Sequence, residues 1–476
     1  MRKQLYLIAM LAAGSLLLSG CGGGGSSSST SETTTTTASS GATTTTATAT
    51  TTTEAATTTT QAATTTTTAA TTTSTAATTT TTATTTTTTV ANTVAVVVDS
   101  GPAALAAANI AAINMPFVSV TICSTTNTTT CQTIDHILVD TGSQGLRILS
   151  TVLSPSLALA QKTDASSNAI AECTMFADGY SWGPIKTANL QIGGETANGV
   201  AIQVIGDPNY STVPSLCSST GGISENTVPT FGSNGVLGVG TFAQDCGAAC
   251  ATNADTNVYY SCATSTTCTP TTMSLANQVQ NPVSLFATDN NGVIVSMAAI
   301  PSNGATTSSG TLTFGIGTQS NNALGSAHVY TLNGDTGNFM TIYNNVSYPD
   351  SFLDTGSNSL DFSDSSISAC SYSSNFYGFY CPTSTLNLTA QNVGESTTFE
   401  PPYGPVATEI GTPVTVSFTI GNPNNISASD SAYGQLGGPT GSSLSTSFDW
   451  GLPFFFGRSV YISIQPANGT APYYAY

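Results

Sequence analysis

The tetrapeptide Asp-Thr-Gly-Ser occurs twice in the chain, at Asp140–Ser143 and at Asp354–Ser357. Each copy follows a short run of mostly apolar residues, 137–139 before the first and 351–353 before the second. Burying an ionised carboxylate at the end of an apolar strand costs several kcal/mol unless the charge is paired and hydrogen-bonded. Because the same costly arrangement occurs twice, we predict two related halves that bring the two carboxylates together.

A second element follows each copy of the motif. Asn234–Gly238 reads Asn-Gly-Val-Leu-Gly, and Trp450–Phe456 reads Trp-Gly-Leu-Pro-Phe-Phe-Phe. The interval from the Asp of the motif to Gly238 in the first half differs by one residue from the interval to Pro453 in the second. Two elements that recur at nearly the same spacing indicate an internal duplication.

From about residue 93 onward, short apolar runs alternate with Gly, Asn and Ser, and there is little helical periodicity. This pattern predicts a mostly β fold. The roughly 380 residues that remain are enough for two lobes with sizeable cores. We place the lobes at residues 93–318 and 319–476.

The N-terminal part predicts export and anchoring. A basic start followed by apolar residues at Leu5–Leu18 predicts a signal peptide over residues 1–20. Leu18–Cys21 reads Leu-Ser-Gly-Cys, which is typical of a bacterial lipoprotein whose Cys21 is lipidated; an ordinary secretory signal is the alternative. Residues 21–92 are almost entirely Gly, Ser, Thr and Ala, which favours a disordered tether, with surface glycosylation as a compatible role.

The composition is strongly acidic. Six Lys and Arg stand against 24 Asp and Glu, for a formal net charge of −18 at pH 7. We therefore exclude nucleic-acid partners, whose phosphates would be repelled. In acid the carboxylates are neutralised and few cations remain, so charge repulsion at low pH is small. This suits a protein that works in acid.

Cysteine usage indicates disulfide bonds. The chain has 11 cysteines, and setting Cys21 aside for lipidation leaves an even number. An even number of cysteines in an exported chain is typical of disulfide bonds. With two histidines and no paired Cys-x-x-Cys motifs, a metal site is disfavoured. Sequence alone does not determine the connectivity. The plausible pairings are Cys123–Cys131, Cys246–Cys250, Cys262–Cys268, Cys370–Cys381 and Cys173–Cys217.

Over most of residues 113–476 the chain resembles the pepsin-like aspartic peptidases. In that family each lobe contributes one Asp-Thr-Gly-Ser/Thr loop, followed by an apolar-apolar-Gly segment that supports it. Phe176–Gly179, followed by Ile192–Gly194, is similar to the family's flap hairpin and the strand after it. The resemblance implies a bilobal pepsin-like acid protease fold, with two related β lobes and a cleft between them.

The resemblance also implies the chemistry. Two adjacent carboxylates cannot both ionise readily, so they share a proton; aspartic proteases are the standard example. The ionised member activates a water molecule, and the protonated member polarises the scissile carbonyl. Catalysis is thereby assigned to Asp140 and Asp354, with no metal or organic cofactor. Support of the loops is assigned to Thr141, Gly142, Ser143, Thr355, Gly356 and Ser357, and the flap contacts with substrate to Phe176, Asp178 and Gly179.

Three positions depart from the family pattern. Phe176 occupies the place of the usual flap tyrosine, with Tyr180 as the alternative. Arg147 stands where the family often has tryptophan. Pro453 stands where the second supporting segment has glycine, and proline lacks an N–H group and fixes φ. We expect these changes to alter efficiency and specificity more than the fold.

Other functions fit parts of the sequence. Gly179–Gly183 matches the G-x-S-x-G pattern of serine hydrolases, but Pro184 and a strand-like segment follow it instead of a helix. A passive surface spacer would explain the Thr-rich tether but not the repeated motifs. A pepsin-like fold can also be kept as a catalytically silent binding module that holds a protein or peptide partner. Inactive relatives commonly lose one catalytic Asp, and this chain keeps both, which favours an enzyme.

These features predict an aspartic endopeptidase that is anchored at the bacterial envelope. Its substrate would be a polypeptide in extended conformation, its membrane contact would run through the lipid on Cys21, and we expect a monomer. The residue after Cys21 is glycine rather than the acidic residue expected of inner-membrane retention. We therefore expect the outer membrane; the sequence does not indicate which face.

Overall fold

Short strands dominate the fold. The computed structural model describes residues 92–219, 222–400, 404–441 and 444–476. The predicted signal peptide, Cys21 and the tether up to residue 91 lie outside the described residues. In the described residues strands far outnumber helices, so the prediction of a mostly β protein is confirmed. None of the helices in these ranges is both long and apolar enough to cross a membrane.

The strands are numbered in chain order. They are β1 Thr93–Val98, β2 Pro116–Ser124, β3 Cys131–Asp140, β4 Gln144–Leu149, β5 Ala160–Gln161, β6 Ala169–Met175, β7 Gly179–Ile192, β8 Glu195–Ile205, β9 Ile223–Ser224, β10 Gly235–Val239, β11 Tyr259–Thr264, β12 Thr267–Pro270, β13 Gly292–Met297, β14 Ser308–Phe314, β15 Val329–Thr331, β16 Phe339–Tyr343, β17 Val346–Leu353, β18 Leu360–Asp361, β19 Leu386–Glu400, β20 Gly404–Ile420, β21 Gly437–Gly438, β22 Asp449–Trp450, β23 Ser459–Ser463 and β24 Tyr473–Ala475.

The helices are short and lie between strands. The α-helices are α1 Ala103–Ala108, α2 Ser215–Ser218, α3 Val228–Phe231, α4 Gly247–Thr252 and α5 Leu452–Phe455. Single turns of 3₁₀ helix occur at Ser150–Val152, Pro208–Tyr210, Ala254–Thr256, Leu275–Asn277, Pro282–Leu285 and Pro423–Asn425.

A six-stranded barrel carries the first motif. β2 pairs with β3, β3 with β10, β10 with β4, β4 with β8, β8 with β7, and β7 again with β2, which closes the ring. Apolar side chains of these strands, such as Val120, Ile137, Leu146 and Ile202, are buried in one core. β3 ends at Asp140, so the barrel places the first aspartate at the end of a buried strand.

The hairpin β6–β7 extends from this barrel. The second half of β7 belongs to the barrel, whereas its first half pairs with β6 and β9. β6 pairs in turn with β11, which pairs with β12. Ser181 lies within β7, which continues to Ile192 with no helix after the serine. The strand–turn–helix context of a serine-hydrolase elbow is therefore missing.

A further run of strands leads from the barrel to the end of the chain. β1 pairs with both β2 and β14. β14 is followed across the sheet by β13, β23, β24 and β15. Strands from the beginning, the middle and the end of the described chain therefore share one sheet.

A second sheet carries the second motif and repeats the pairing of the first. In the barrel, β3 is parallel to β10, β10 antiparallel to β4, and β4 parallel to β8. In the second sheet, β17 is parallel to β22, β22 antiparallel to β18, and β18 parallel to β21. β17 ends directly before Asp354, as β3 ends at Asp140. The repeated pairing is the pattern expected of an internal duplication.

The strand register corrects our placement of the second glycine. In the first half, Gly238 lies opposite the aspartate of the motif. In the second half, Trp450 lies opposite the residue before the aspartate, so Gly451, and not Pro453, occupies the position of Gly238. A Cβ added to Gly451 would lie 2.0 Å from a carbonyl oxygen. Pro453 lies in the first turn of α5, where a missing N–H leaves no bond unmade.

Five disulfide bonds close loops in both sheets. They join Cys123 to Cys131, Cys173 to Cys217, Cys246 to Cys250, Cys262 to Cys268 and Cys370 to Cys381. All five predicted pairings are confirmed. Four of them close loops of 4 to 11 residues, and Cys173–Cys217 spans 44 residues. That longer bridge removes the most freedom from the unfolded chain.

Candidate active site

Two loops meet where the two sheets approach each other: the Asp140 loop (Asp140–Ser143) and the Asp354 loop (Asp354–Ser357). Asp140 is 7% exposed and Asp354 is 2% exposed. The two carboxyl groups are adjacent, and each lies against the glycine of the opposite loop. A Cβ added to Gly356 would lie 2.8 Å from Oδ1 of Asp140 and 3.0 Å from Oδ1 of Asp354. The structure therefore brings together the two carboxyls that the sequence singled out.

Each carboxyl is held by its own loop in the same way. The N–H of Gly142 donates to Oδ1 of Asp140 at 2.8 Å, and Ser143 Oγ donates to Oδ2 at 2.5 Å. In the second loop the N–H of Gly356 lies 2.7 Å from Oδ1 of Asp354, and the Ser357 hydroxyl lies 3.0 Å from Oδ2. The glycines are needed for space, since a Cβ at Gly142 would lie 2.8 Å from Cγ of the opposite aspartate.

The threonines cross-link the loops. Thr141 Oγ1 donates to the carbonyl oxygen of Leu353 at 2.8 Å and accepts the N–H of Thr355 at 3.0 Å. Thr355 Oγ1 donates to the carbonyl oxygen of Val139 at 2.7 Å and accepts the N–H of Thr141 at 3.2 Å. Each hydroxyl thus satisfies two backbone groups of the other half, which fixes the separation of the two carboxyls.

We expect Thr355→Val to destabilise the protein although the side chains have nearly the same shape. The substitution leaves one buried N–H and one buried C=O without a partner, at about 1–3 kcal/mol each. Thr355→Ser, which keeps the hydroxyl, is the matched control. Thermal unfolding measured by circular dichroism should show a clear loss for the Val variant and a small one for the Ser variant. Equal melting temperatures for the two variants would contradict the cross-link.

The two carboxyls differ in their surroundings. Burial raises the pKa of Asp354 well above its usual range, and the adjacent charge of Asp140 raises it further. The N–H of Gly356 and the hydroxyl of Ser357 act in the opposite direction, lowering the pKa of Asp354 by smaller amounts. Burial therefore favours the protonated form of Asp354.

Two further carboxyls lie behind Asp354, and sequence reasoning missed both. Asp449 on β22 lies opposite Asp361 on the adjacent strand β18, and both residues are almost completely buried. Burial raises the pKa of Asp449 well above its usual range and that of Asp361 to about 7. The only sequence signal was an isolated Asp beside Trp450, which gives no hint of a partner.

Ser357 connects this pair to the site. Its Oγ lies 3.0 Å from Oδ2 of Asp354 and 2.6 Å from Oδ2 of Asp449. A hydroxyl has one hydrogen, so both contacts are hydrogen bonds only when one of the two carboxyls is protonated. Asp449 is therefore a neutral acid when Asp354 is ionised, which limits the negative charge that accumulates behind the site.

The predicted flap residues lie at the turn of the hairpin β6–β7. The N–H of Phe176 donates to the carbonyl oxygen of Gly179 at 2.8 Å and closes the turn. The Phe176 ring packs edge-on against Phe231, with centroids 5.5 Å apart. Tyr180, the alternative to Phe176, is 9% exposed and packs in a cluster with Trp182.

Asp178 forms a second carboxyl pair, with Glu225, which the sequence did not suggest. Glu225 is 1% exposed, and among the described residues no N–H or hydroxyl donates to its carboxylate oxygens. Burial, and then the adjacent Asp178, raise the pKa of Glu225 to about 10. Burial also raises the pKa of Asp178. The pair therefore shares a proton at neutral pH.

Both histidines contact residues that lie outside the two aspartate loops. His136 lies near Asp99 and Asp135, at 3.4 Å and 3.3 Å. His328 packs edge-on against Tyr330. Ser181 is fully buried and donates to Gln203 at 2.8 Å. Within the part of the chain that the structure describes, neither histidine hydrogen-bonds to this serine, so no serine-hydrolase triad is assembled around it.

Over the ranges that the structure describes, no group of three or more His, Cys, Asp or Glu side chains is arranged to hold a metal ion.

Comparison with curated proteins found no match to this chain. A family model described as "Protein of unknown function (DUF3443)" matches residues 88–476. This match includes every residue of both loops, the hairpin and all five disulfides. The chain therefore belongs to the DUF3443 family.

Proposed function

We propose that the protein is an aspartic endopeptidase and that Asp140 and Asp354 activate the attacking water. One observation carries the proposal: two carboxyls from repeated loops lie next to each other, and each is held by a glycine N–H and a serine hydroxyl. A pair of structural Asx turns would need no such cross-loop contact, and burying two carboxyls side by side costs free energy that a purely structural turn would not require.

The geometry supports a division of labour between the carboxyls. Ionised Asp140 takes a proton from a water held between the two groups, and the water oxygen bonds to the carbonyl carbon of the peptide. Protonated Asp354 gives its proton to the carbonyl oxygen, so the tetrahedral intermediate forms without a free oxyanion. Transfer of the proton on Asp140 to the amide nitrogen lets the C–N bond break. Return of the hydroxyl proton to Asp354 completes the cycle.

The same proposal covers the arrangement of the whole molecule. In this proposal the two lobes of a pepsin-like protease are residues 93–318, which carry the barrel, and residues 319–476, which carry the second sheet and add β15, β23 and β24 to the first, with the cleft between the lobes. The hairpin β6–β7 serves as the flap, and an extended polypeptide pairs with it as an added strand. Phe176, Asp178 and Gly179 are the flap residues nearest to the substrate in this arrangement.

We further propose that the protein works at the bacterial envelope as a monomer. The motif at Leu18–Cys21 supports a lipid anchor on Cys21, and the glycine after it favours the outer membrane. The acidic chain excludes nucleic-acid substrates. Mass spectrometry of the intact protein from membranes would test the anchor, since diacylation adds a defined mass to a chain that begins at Cys21.

The test of the activity is cleavage of an unfolded protein between pH 3 and pH 6. We expect hydrolysis that a statine-type inhibitor abolishes, because its hydroxyl occupies the place of the attacking water. On the alkaline side the rate should fall as Asp354 loses its proton; its raised pKa places this limb above the usual range of an Asp. A chain that cleaves nothing at any pH, yet binds peptides tightly, would instead be a silent binding module.

A further inference from the structure

Arg147 is the one fully buried cation in the described part of the chain. It is 1% exposed, and its guanidinium reaches four acceptors. Nη1 donates to the carbonyl oxygen of Gln144 at 2.6 Å, and Nε donates to Thr174 Oγ1 at 2.7 Å. Nη2 lies 2.6 Å from Oε1 of Glu172 and 3.2 Å from Oδ2 of Asp245.

These acceptors belong to three different parts of the fold. Gln144 directly follows Ser143, whose hydroxyl holds the carboxyl of Asp140. Glu172 and Thr174 lie on β6, the first strand of the hairpin that we propose as the flap. Asp245 follows β10, the strand that supports the Asp140 loop. One side chain therefore joins the loop, the hairpin and the supporting segment.

The partners of Arg147 are themselves fixed. Tyr259 Oη donates to Oδ1 of Asp245 at 2.7 Å and accepts the N–H of Val279 at 2.7 Å. Gln203 Nε2 donates to the carbonyl oxygen of Glu172 at 2.8 Å. The planar guanidinium presents five N–H donors in a fixed arrangement, whereas an ammonium has three rotatable donors and an indole has one.

Burial of an ion pair is a poor source of stability, because apolar side chains of the same volume often stabilise a core as well or better. A buried Arg with acceptors on three segments does restrict how those segments lie relative to one another. The network therefore determines how the three segments are placed relative to one another more than it determines the stability of the fold.

We propose that Arg147 is a positioning residue that holds the hairpin β6–β7 at a fixed distance from the Asp140 loop. The inference rests on the proposed function in one respect only, that the hairpin closes over bound substrate. Glu172 ties β6 to the same guanidinium further from the turn, whereas Thr174, two residues nearer the turn, is the contact that fixes the turn end of the hairpin. That contact runs from Thr174 through the guanidinium to Gln144 and so to the hydroxyl that holds Asp140.

Removing Arg147 itself leaves two buried acids unpaired, and such a variant can fail to fold. Thr174→Val is the sharper change, because it removes the hairpin's hydroxyl acceptor and leaves both ion pairs and the Gln144 contact in place. Thr174→Ser restores the acceptor. Thr133→Val is the control at another hairpin, where it removes a hydroxyl contact with Thr121 of 2.8 Å.

The first readout is amide hydrogen exchange in the full chain. The N–H groups of Phe176, Ile223 and Glu225 are hydrogen-bonded across the hairpin and its neighbouring strand β9. We expect exchange at these three amides to be at least about tenfold faster in Thr174→Val and unchanged in Thr174→Ser and Thr133→Val. Exchange in Thr174→Val equal to that in the wild type would overturn the inference, and this holds whether or not the protein cleaves peptides.

The second readout is steady-state kinetics on a peptide substrate. A hairpin that is held less firmly binds substrate less well, so KM should rise about tenfold in Thr174→Val while kcat changes less than about twofold. A merely structural role would lower the melting temperature and leave KM as it is, which would also overturn the inference. A wild-type chain that is inactive at every pH refutes the proposed function instead, and the exchange experiment then decides the role of Arg147 by itself.

Discussion

Asp140→Asn and Asp354→Asn are each expected to reduce peptide hydrolysis by about 10²–10⁴-fold or more. An amide at position 140 cannot accept the proton of the attacking water, and an amide at position 354 cannot supply a proton to the carbonyl oxygen and recover it. Both substitutions keep the size of the side chain. The measurement is the initial rate of cleavage of a fluorogenic peptide over pH 3–6, with each variant purified as the full chain.

The controls separate chemistry from folding. Replacing one member of a buried carboxyl pair by an amide removes the electrostatic cost of keeping two titrating carboxyls side by side, so neither variant should melt below the wild type at pH 7. Asp255→Asn changes an exposed carboxylate and should leave the rate as it is. If either catalytic-site variant keeps more than about a tenth of the wild-type rate, the pair does not supply general acid–base catalysis, and another group must be sought.

The parts of the site that could be predicted from sequence are those with local signals. Asp-Thr-Gly-Ser after an apolar run marks a carboxyl at the end of a strand, and its repetition indicates that two such ends meet. The disulfides followed from short separations along the chain, as for Cys246 and Cys250, with one long closure left over. In each case the information lies within a few residues or in a repeated spacing.

What could not be predicted depends on which strands lie side by side. Counting residues places Pro453 at the position of the glycine of the second half, whereas the register puts Gly451 opposite Asp354. A shift of two residues in one segment is invisible in a sequence that is rich in apolar residues around both positions. Asp449 and Asp361 likewise become partners only because β22 pairs with β18.

Several buried acids share one feature, which is that they have no cationic partner in the described residues. In the sequence this feature is visible only as a shortage of Lys and Arg. Glu225 meets Asp178, Asp361 meets Asp449, and Glu395 receives a hydrogen bond from Asn333. None of these carboxyls forms an ion pair within the described residues. Burial without a cation, and with few N–H or O–H donors, favours the neutral form of a carboxyl. The fold therefore depends on protons in places where other proteins use salt bridges.

The second large effect that we expect follows from these protons: the protein should be more stable in acid than at neutral or alkaline pH. Burial raises the pKa of Asp361 to about 7 and that of Glu395 to about 7, and burial with the adjacent Asp178 raises the pKa of Glu225 to about 10. In the unfolded chain these groups titrate near pH 4.

The sign of the effect follows from proton counting. Below about pH 4 the folded and unfolded chains are both protonated at these sites, and the stabilisation is fully present. Between that pH and the raised pKa of each group the folded chain holds the extra proton, so stability falls by about 1.4 kcal/mol per pH unit and group. For Asp361 and Glu395 the loss is complete near pH 7, and for Glu225 it continues toward pH 10. Asp164 and Asp364 have lowered pKa values and act in the opposite direction, but only below about pH 4.

Calorimetry at pH 4.5 and at pH 8 should show this difference as a melting temperature that is at least about 5 °C higher in acid. Glu225→Gln removes one of the titrating groups while its amide can still donate to Asp178, so this variant should lose less stability between the two pH values than the wild type does. Asp255→Asn, at an exposed position, should follow the wild-type curve. A wild-type melting temperature that rises from pH 4.5 to pH 8 would mean that these carboxyls are ionised in the folded chain. In that case the division of labour proposed for Asp140 and Asp354 would lose its electrostatic basis as well, because it rests on the same effect of burial.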